Sequence, residues 1–215
     1  MFALSDKENL ELLKANKPLF SDPLAYANIP DAEATDEPKN PVELKETYEI
    51  QLNLAIIGQK LGFKVWMPQN DRTSIEKELK SNIPVSFIKY LPSSFSGEVL
   101  KVVKNIDVIW IKEQSFVRAF EVENTTQIYS GLLRMFDLFS MAPNLDLKMH
   151  IVAPLDRRER VFQEIHIPTF CSNNLDLHNR CSFLSFEAVN EIFGNKYLEN
   201  MKEDLIDKFT EKRDY

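Results

Sequence analysis

Asp107, Glu121 and Glu123 are the side chains of this 215-residue chain best placed to do chemistry together. They sit in two β-branched and aromatic runs, NIDVIWI (105–111) and FVRAFEVE (116–123), joined by KEQS. Two such runs with a short polar connection read as a β-hairpin. If Asp107 lies opposite Glu121, then Ile109 faces Ala119 and Ile111 faces Val117, and a five-residue turn closes the hairpin. Side chains alternate faces along a strand, so this register gathers Asp107, Glu121 and Glu123 on one face and Ile106, Val108, Trp110, Phe120 and Val122 on the other. A shift of one residue would separate the acids. Three carboxylates held together repel unless protons or a hard cation relieve them. Ligands that offer only oxygen favour Mg2+ or Mn2+, ions that activate water and stabilise charge on a phosphate. Spacing alone leaves the alternative open that Glu121 and Glu123 line the solvated face of a strand.

The surrounding elements must hold this hairpin. Residues 5–16 read as a short helix capped by Ser5 and stopped by Pro18, and the proline-rich stretch 21–42 as an irregular arm. From 42 to 61, Leu44, Tyr48, Leu52, Ala55 and Ile56 follow helical spacing and Gly62 ends the helix. FKVWM (63–67) reads as a strand and 74–79 as helical. After the hairpin come a helix over about 127–141, a buried strand LKMHIVA (147–153), a helix capped by Asp156, and from 181 a further strand and helix. Alternating helices and apolar strands imply a layered α/β domain. The expected divisions are an N-terminal helix and acidic arm (1–42), a central domain (43–195) and a charged C-terminal helix (196–215). Trp66 and Trp110 are expected in the core.

Composition limits the functions available. Hydrophobic residues make up 44% of the chain, enough for a folded core. No stretch reaches the length of a membrane span, and the start lacks a signal-peptide pattern, so the expectation is a soluble, cytoplasmic protein without a membrane partner. Cys171 and Cys181 are expected to stay unpaired thiols. The net charge of −7 argues mildly against nucleic acid, but residues 1–46 carry 10 acidic and 5 basic side chains, so much of the acidity is outside the central domain. His150, His166 and His178 lack zinc-hydrolase spacing, and neither a P-loop, a dinucleotide fingerprint nor a GxSxG elbow is present. DRRER (156–160) could touch phosphates, although a solvated helix face explains it as well.

IDVIW followed by AFEVENTTQIYSGLLRMFDL, with GFKVWMPQNDR upstream and HIVAPLDRRERVFQEI downstream, resembles restriction-endonuclease-like proteins of the PD-(D/E)XK superfamily over about 43–186. The resemblance implies a central mixed β-sheet flanked by helices. It implies that Asp107 and Glu121 bind Mg2+ or Mn2+ and activate water, with Glu123 where a lysine is usual. It also points to a further acid from the preceding helix, Glu49 or, second, Glu46. Thr125, Thr126, Gln127 and Tyr129 are placed to contact phosphate or substrate, with helix capping as the structural alternative. The implied function is a divalent-metal-dependent DNA endonuclease with a restriction or defence role, for which a homodimer would suit a double-strand cut. The alternatives are a nucleic-acid-binding module of the same fold that does not cleave, and a structural α/β protein with solvated acids.

Overall fold

The computed structural model describes residues 40–79, 84–92, 95–124, 128–171 and 177–213. The expected helix at 5–16 and the arm that follows it lie outside these residues. The first described element, α1 (Pro41–Lys60), opens with Asn40 accepting from the Val42 amide and Pro41 in its first turn. It ends as the sequence predicts: Gly62 adopts φ 89°, with Gly62 N–H donating to Gln59 O and Phe63 N–H to Gly58 O. There follow β1 (Lys64–Trp66), α2 (Gln69–Leu79), α3 (Gly97–Val103), β2 (Val108–Lys112), β3 (Ser115–Val122) and α4 (Ile128–Met141). Next come β4 (Lys148–Ala153), α5 (Arg158–Ile165), α6 (Leu177–Arg180), β5 (Cys181–Ser185) and α7 (Phe186–Phe193).

The strands form a five-stranded mixed sheet in the order β1-β2-β3-β4-β5. β1, β2 and β3 pair antiparallel, whereas β3, β4 and β5 run parallel. Each face carries its own apolar layer. Ile109, Ala119, Met149, Ile151 and Phe183 pack with α3, α4 and α5, whereas Val108, Trp110, Phe120, Val152 and Leu184 pack with α1, α2 and α7. The chain is therefore an α/β protein with helices on both faces of a mixed sheet. Among the described residues no helix is long and apolar enough to cross a membrane.

The hairpin register agrees with the sequence where it matters for the acids: Ile109 pairs with Ala119. Nearer the turn it departs. Ile111 pairs with Phe116 instead of Val117, and Lys112 with Ser115, so two residues close the hairpin in place of five. So tight a turn calls for positive φ, which Glu113 supplies at 55°. The bulge leaves Val117 as the extra residue. It also turns Phe116 to the α4 face, where it stacks on Phe95 with centroids 4.4 Å apart.

Three other expectations fail. The helix expected to be capped by Asp156 starts at Arg158 with Arg157 at its N-cap and no side-chain cap, because Asp156 lies within the 3-10 turn Leu155–Arg157. Trp66 is half-buried instead of a core residue, although Trp110 is fully enclosed. The expected C-terminal charged helix is replaced by two short 3-10 turns, Leu198–Asn200 and Leu205–Lys208, and an antiparallel bridge from Glu211 to Phe183. Pairing with the edge strand β5 satisfies backbone groups that a helix would have bonded internally. Cys171 and Cys181 are not disulfide-bonded to each other, as expected.

One close approach sets where α1 lies on the sheet. The Trp110 indole lies directly beneath Gly58, where an added Cβ would stand 2.3 Å from the indole nitrogen. That nitrogen donates to Leu54 O at 3.1 Å. Alanine is ordinarily the better helix former, yet Gly58→Ala should destabilise the protein by about 1–3 kcal/mol, the usual range for overpacking. Chemical denaturation checks this; a variant as stable as wild type would mean that α1 is free to lift from β2.

Candidate active site

Asp107 immediately precedes β2, and Glu121 and Glu123 lie at the end of β3; because the two strands are antiparallel, all three acids gather at one end of the sheet. Asp107 is half-buried and accepts from the Val122 amide through Oδ2 at 2.7 Å. Glu121 has no exposed surface and Glu123 is 6% exposed. The Glu123 backbone extends the parallel pairing, its amide donating to Val152 O at 2.8 Å. Glu121 fits against α4 because residue 131 is glycine: a Cβ there would stand 3.2 Å from Glu121 Cβ.

A buried carboxylate needs a compensating charge or a proton. Arg134, one turn beyond Gly131, supplies the charge. Its Nε donates to Glu121 Oε1 at 2.9 Å and one terminal nitrogen to Oε2 at 2.6 Å, with Glu123 Oε1 3.9 Å from that nitrogen. The carboxylates and the bond to Glu121 hold the Arg134 guanidinium protonated still more firmly than usual. Burial nevertheless dominates at Glu121. It pushes the carboxyl well above the usual range, the charge of Asp107 adds to this, and Arg134 offsets only part of the rise. Burial likewise raises Asp107 to about 6, opposed by the Val122 amide and reinforced by the charge of Asp71.

Two further side chains join the site. Gln51 lies on the buried stripe of α1 with Thr47, Leu54 and Gly58, is 5% exposed, and lies close enough to Asp107 to oppose part of the rise in its pKa. Its Oε1 is buried without a hydrogen-bond partner among the described residues. Asp71 is held in the first turn of α2 beside Arg72, which donates through Nε to Met67 O at 2.7 Å and lies over the rings of Trp66 and Phe87. Gln51, Asp71 and Arg134 are functional candidates that motif spacing alone does not single out. A signal exists for Arg134, the sole basic residue of an otherwise largely apolar α4, and for Gln51, which lies on the apolar stripe of α1.

The other candidate residues are distributed differently. Glu49 is exposed and pairs with Lys45 at 3.6 Å on the solvent side of α1. Glu46 comes nearer, its carboxylate accepting from Asn124 Nδ2 at 3.0 Å just beyond Glu123. The Tyr129 ring is half-buried and packs against the core residue Phe170, centroids 5.5 Å apart. Thr125, Thr126 and Gln127 lie outside the described residues.

Fold and site together define an α/β protein whose mixed sheet carries a buried acidic cluster at the strand ends, countered by one arginine. Residues 28–213 match the family model of the Type II restriction enzyme NmeDI C-terminal domain, and the chain belongs to that family. It is 33% identical over 176 residues to the Type II restriction enzyme NmeDI of Neisseria meningitidis serogroup C. The match covers 76% of this chain and 48% of that relative, so the chain spans about half the length of the relative. No solved structure matches the chain.

The charge balance can be tested at two points. Arg134→Ala strands a fully enclosed carboxylate and should cost about 3–5 kcal/mol, whereas Glu121→Ala leaves an arginine already 34% exposed and able to reach water, so it should cost less. Denaturant titration checks the order, and equal losses would contradict it. The second test concerns pH. An acid whose pKa rises on folding, as Asp107 does from 3.8 to about 6, contributes stability below its unfolded value that is lost as pH climbs through 6. His150 acts oppositely: burial and Arg118 push it down to about 3, so its contribution is present above 6.5 and fades as pH falls. Comparing wild type with Asp107→Asn cancels the contribution of His150. Relative to wild type, Asp107→Asn should gain on the order of 2 kcal/mol between about pH 4 and about pH 8 without metal. A pH-independent difference would show that Asp107 is not held as a neutral acid.

Proposed function

We propose that the chain is a divalent-metal-dependent DNA endonuclease domain of PD-(D/E)XK type in a restriction system. In this reading Asp107, Glu121 and Glu123 would hold Mg2+ or Mn2+, and water would attack the phosphorus of a phosphodiester, breaking one P–O ester bond and releasing that ester oxygen as the leaving group. The observation that carries the proposal is the meeting of Asp107, Glu121 and Glu123 with the unpartnered Gln51 Oε1 at one end of the sheet. An oxygen-only donor set suits a hard cation, and a cation would relieve both the crowding of negative charge and the orphaned amide oxygen. Among the described residues no three His, Cys, Asp or Glu side chains already enclose a metal position. The guanidinium of Arg134 occupies the Glu121 carboxylate. Release of Arg134 from Glu121 would accordingly accompany metal binding and leave its charge beside the site, where it can meet a phosphate oxygen.

A bound divalent cation would supply a more acidic water and charge stabilisation on the phosphate. The protein's own part is to hold the carboxylates. The Val122 amide orients Asp107, Gly131 lets Glu121 seat against α4, and Gln51 of α1 lies beside Asp107. Glu123, where a lysine is usual, offers a third carboxylate as proton acceptor or ligand. DNA is the proposed substrate and a homodimer the proposed form for cutting both strands. Similarity to NmeDI, a Type II restriction enzyme, supports this reading.

The bidentate Arg134–Glu121 pair favours a second reading, a DNA-binding module in which the arginine permanently replaces the metal. Cleavage of duplex DNA in Mg2+ or Mn2+ separates the two. The proposal expects cutting that Asp107→Ala and Glu121→Ala each reduce by at least about a hundredfold, the scale for losing one electrostatic stabiliser, while the fold persists. Glu123→Lys should keep part of the activity. Duplex binding without cutting in either metal would establish the second reading.

A further inference from the structure

The end of the sheet away from the acids carries a basic basin. β4 and β5 begin there, and a cavity of about 300 Å³ is lined by Lys148, His150, Arg180, Ser182 and Lys212, with Asp207 and Thr210. A second cavity, about 490 Å³, shares Lys148, Arg180 and Lys212 and adds Asn144, Asp146 and Asn179. Three cations are thus concentrated in a chain of net charge −7. The two carboxylates nearby do not cancel them. Asp207 accepts from buried Arg118 through both oxygens, at 2.8 and 2.9 Å, and from Lys148 at 2.8 Å, so one acid is shared by two cations.

The cations keep donors in reserve. Lys212 Nζ donates to Asn179 O at 2.6 Å, and Arg180 donates to Leu145 O at 3.2 Å while lying over Phe139. Each of these bonds uses one of the three N–H groups of a lysine or the five of an arginine. Ser182 adds a buried hydroxyl. Arginine can only donate, so His150 Nε2 must accept from Arg118 at 3.2 Å, and His150 Nδ1 then donates to Ser182 Oγ at 2.7 Å. Among the described residues the Ser182 proton is left with only a long approach of 3.5 Å to Met149 O.

We propose that Lys148, Arg180, Lys212 and the Ser182 hydroxyl form a binding site for a phosphate ester, separate from the acidic site. Spare cationic donors and a hydroxyl converging on one cavity suit a tetrahedral oxyanion with several acceptor oxygens. The volume is that of a small-molecule pocket and admits the group esterified to the phosphate as well. The basin is not the place where the scissile phosphate would sit. Lys148 precedes Ile151, the register partner of Glu121, by three residues or roughly 10 Å of strand. His150 and Ser182, moreover, lie on the opposite sheet face from Glu121. The phosphate can be a backbone phosphate of DNA or a free phosphate or nucleotide, since the same donors recognise both.

The full chain is tested without divalent cations, which keeps metal-dependent cleavage out of the measurement. Inorganic phosphate and deoxynucleoside monophosphate are titrated by calorimetry, and duplex DNA by fluorescence anisotropy over a range of salt. Wild type is compared with Arg180→Gln, Lys212→Gln and Ser182→Ala, each first shown to melt as cooperatively as wild type. Lys101→Gln, a surface lysine paired with Glu98, controls for general loss of charge. The proposal expects at least one ligand to bind about tenfold more weakly to the double variant Arg180→Gln/Lys212→Gln while Lys101→Gln binds normally. If the backbone of DNA is the occupant, the salt dependence of duplex binding also falls by roughly 0.9 for every phosphate no longer neutralised. Weakening confined to the free ligands assigns the basin to a small phosphate. No binding by wild type, or equal binding by wild type and the double variant, overturns the proposal whether or not the chain cuts DNA.

Discussion

A glutamate with no exposed surface inside an α/β sheet is the constraint around which this structure is arranged. Glu121 cannot be solvated, so its charge must be neutralised by a proton or matched by a cation. Arg134 makes the match through two short bonds, and Gly131 makes it geometrically possible by letting α4 settle onto the side chain. Replacing such a pair with apolar residues of similar volume often stabilises a protein, so packing alone gives little reason for two more acids to crowd the same corner. A binding function does give one, because it needs charge that a ligand can claim.

The sheet fixes two corners of the site and α1 fixes a third. Trp110 fills the space beneath Gly58 and ties Leu54 to the sheet, and the same helical stripe continues one turn toward the N-terminus to Gln51. Asn124 then joins the end of β3 to the first turns of α1 through Glu43 O and Glu46. The acids therefore rest on a sheet end and a helix that are packed together, so positioning at the site and stability of the fold depend on the same packing. The geometry of the acidic site and the stability of the fold should respond together to changes at Gly58 and Trp110.

How much of this the sequence discloses depends on the range of each interaction. The acid-bearing half of the hairpin is readable, because strict alternation around Ile109 and Ala119 forces the faces apart. The bulge at Val117 is not, since valine and phenylalanine are acceptable on either face and only the packing of Phe116 against Phe95 decides. Expecting the helical acid at Glu49 follows residue type and neglects the helical stripe, which puts Gln51 inward and Glu49 in water. The C-terminal segment has helical spacing at Leu198, Leu205 and Ile206, but long-range ties from Asp207 to Arg118 and from Glu211 to β5 override it. Arg134 shows the same limit. A lone cation in an apolar helix announces that it has a partner, and only the fold says which.

Glu121 is proposed to exchange Arg134 for a divalent cation. A crystal structure of the full chain soaked in Mn2+ and recorded at the manganese absorption edge tests it directly. The exchange predicts an anomalous peak within bonding distance of oxygens from Asp107 and Glu121, roughly 2.0–2.2 Å, with the Arg134 guanidinium withdrawn from Glu121. Density showing Arg134 still bidentate on Glu121 at saturating Mn2+, with no peak among these acids, would contradict it.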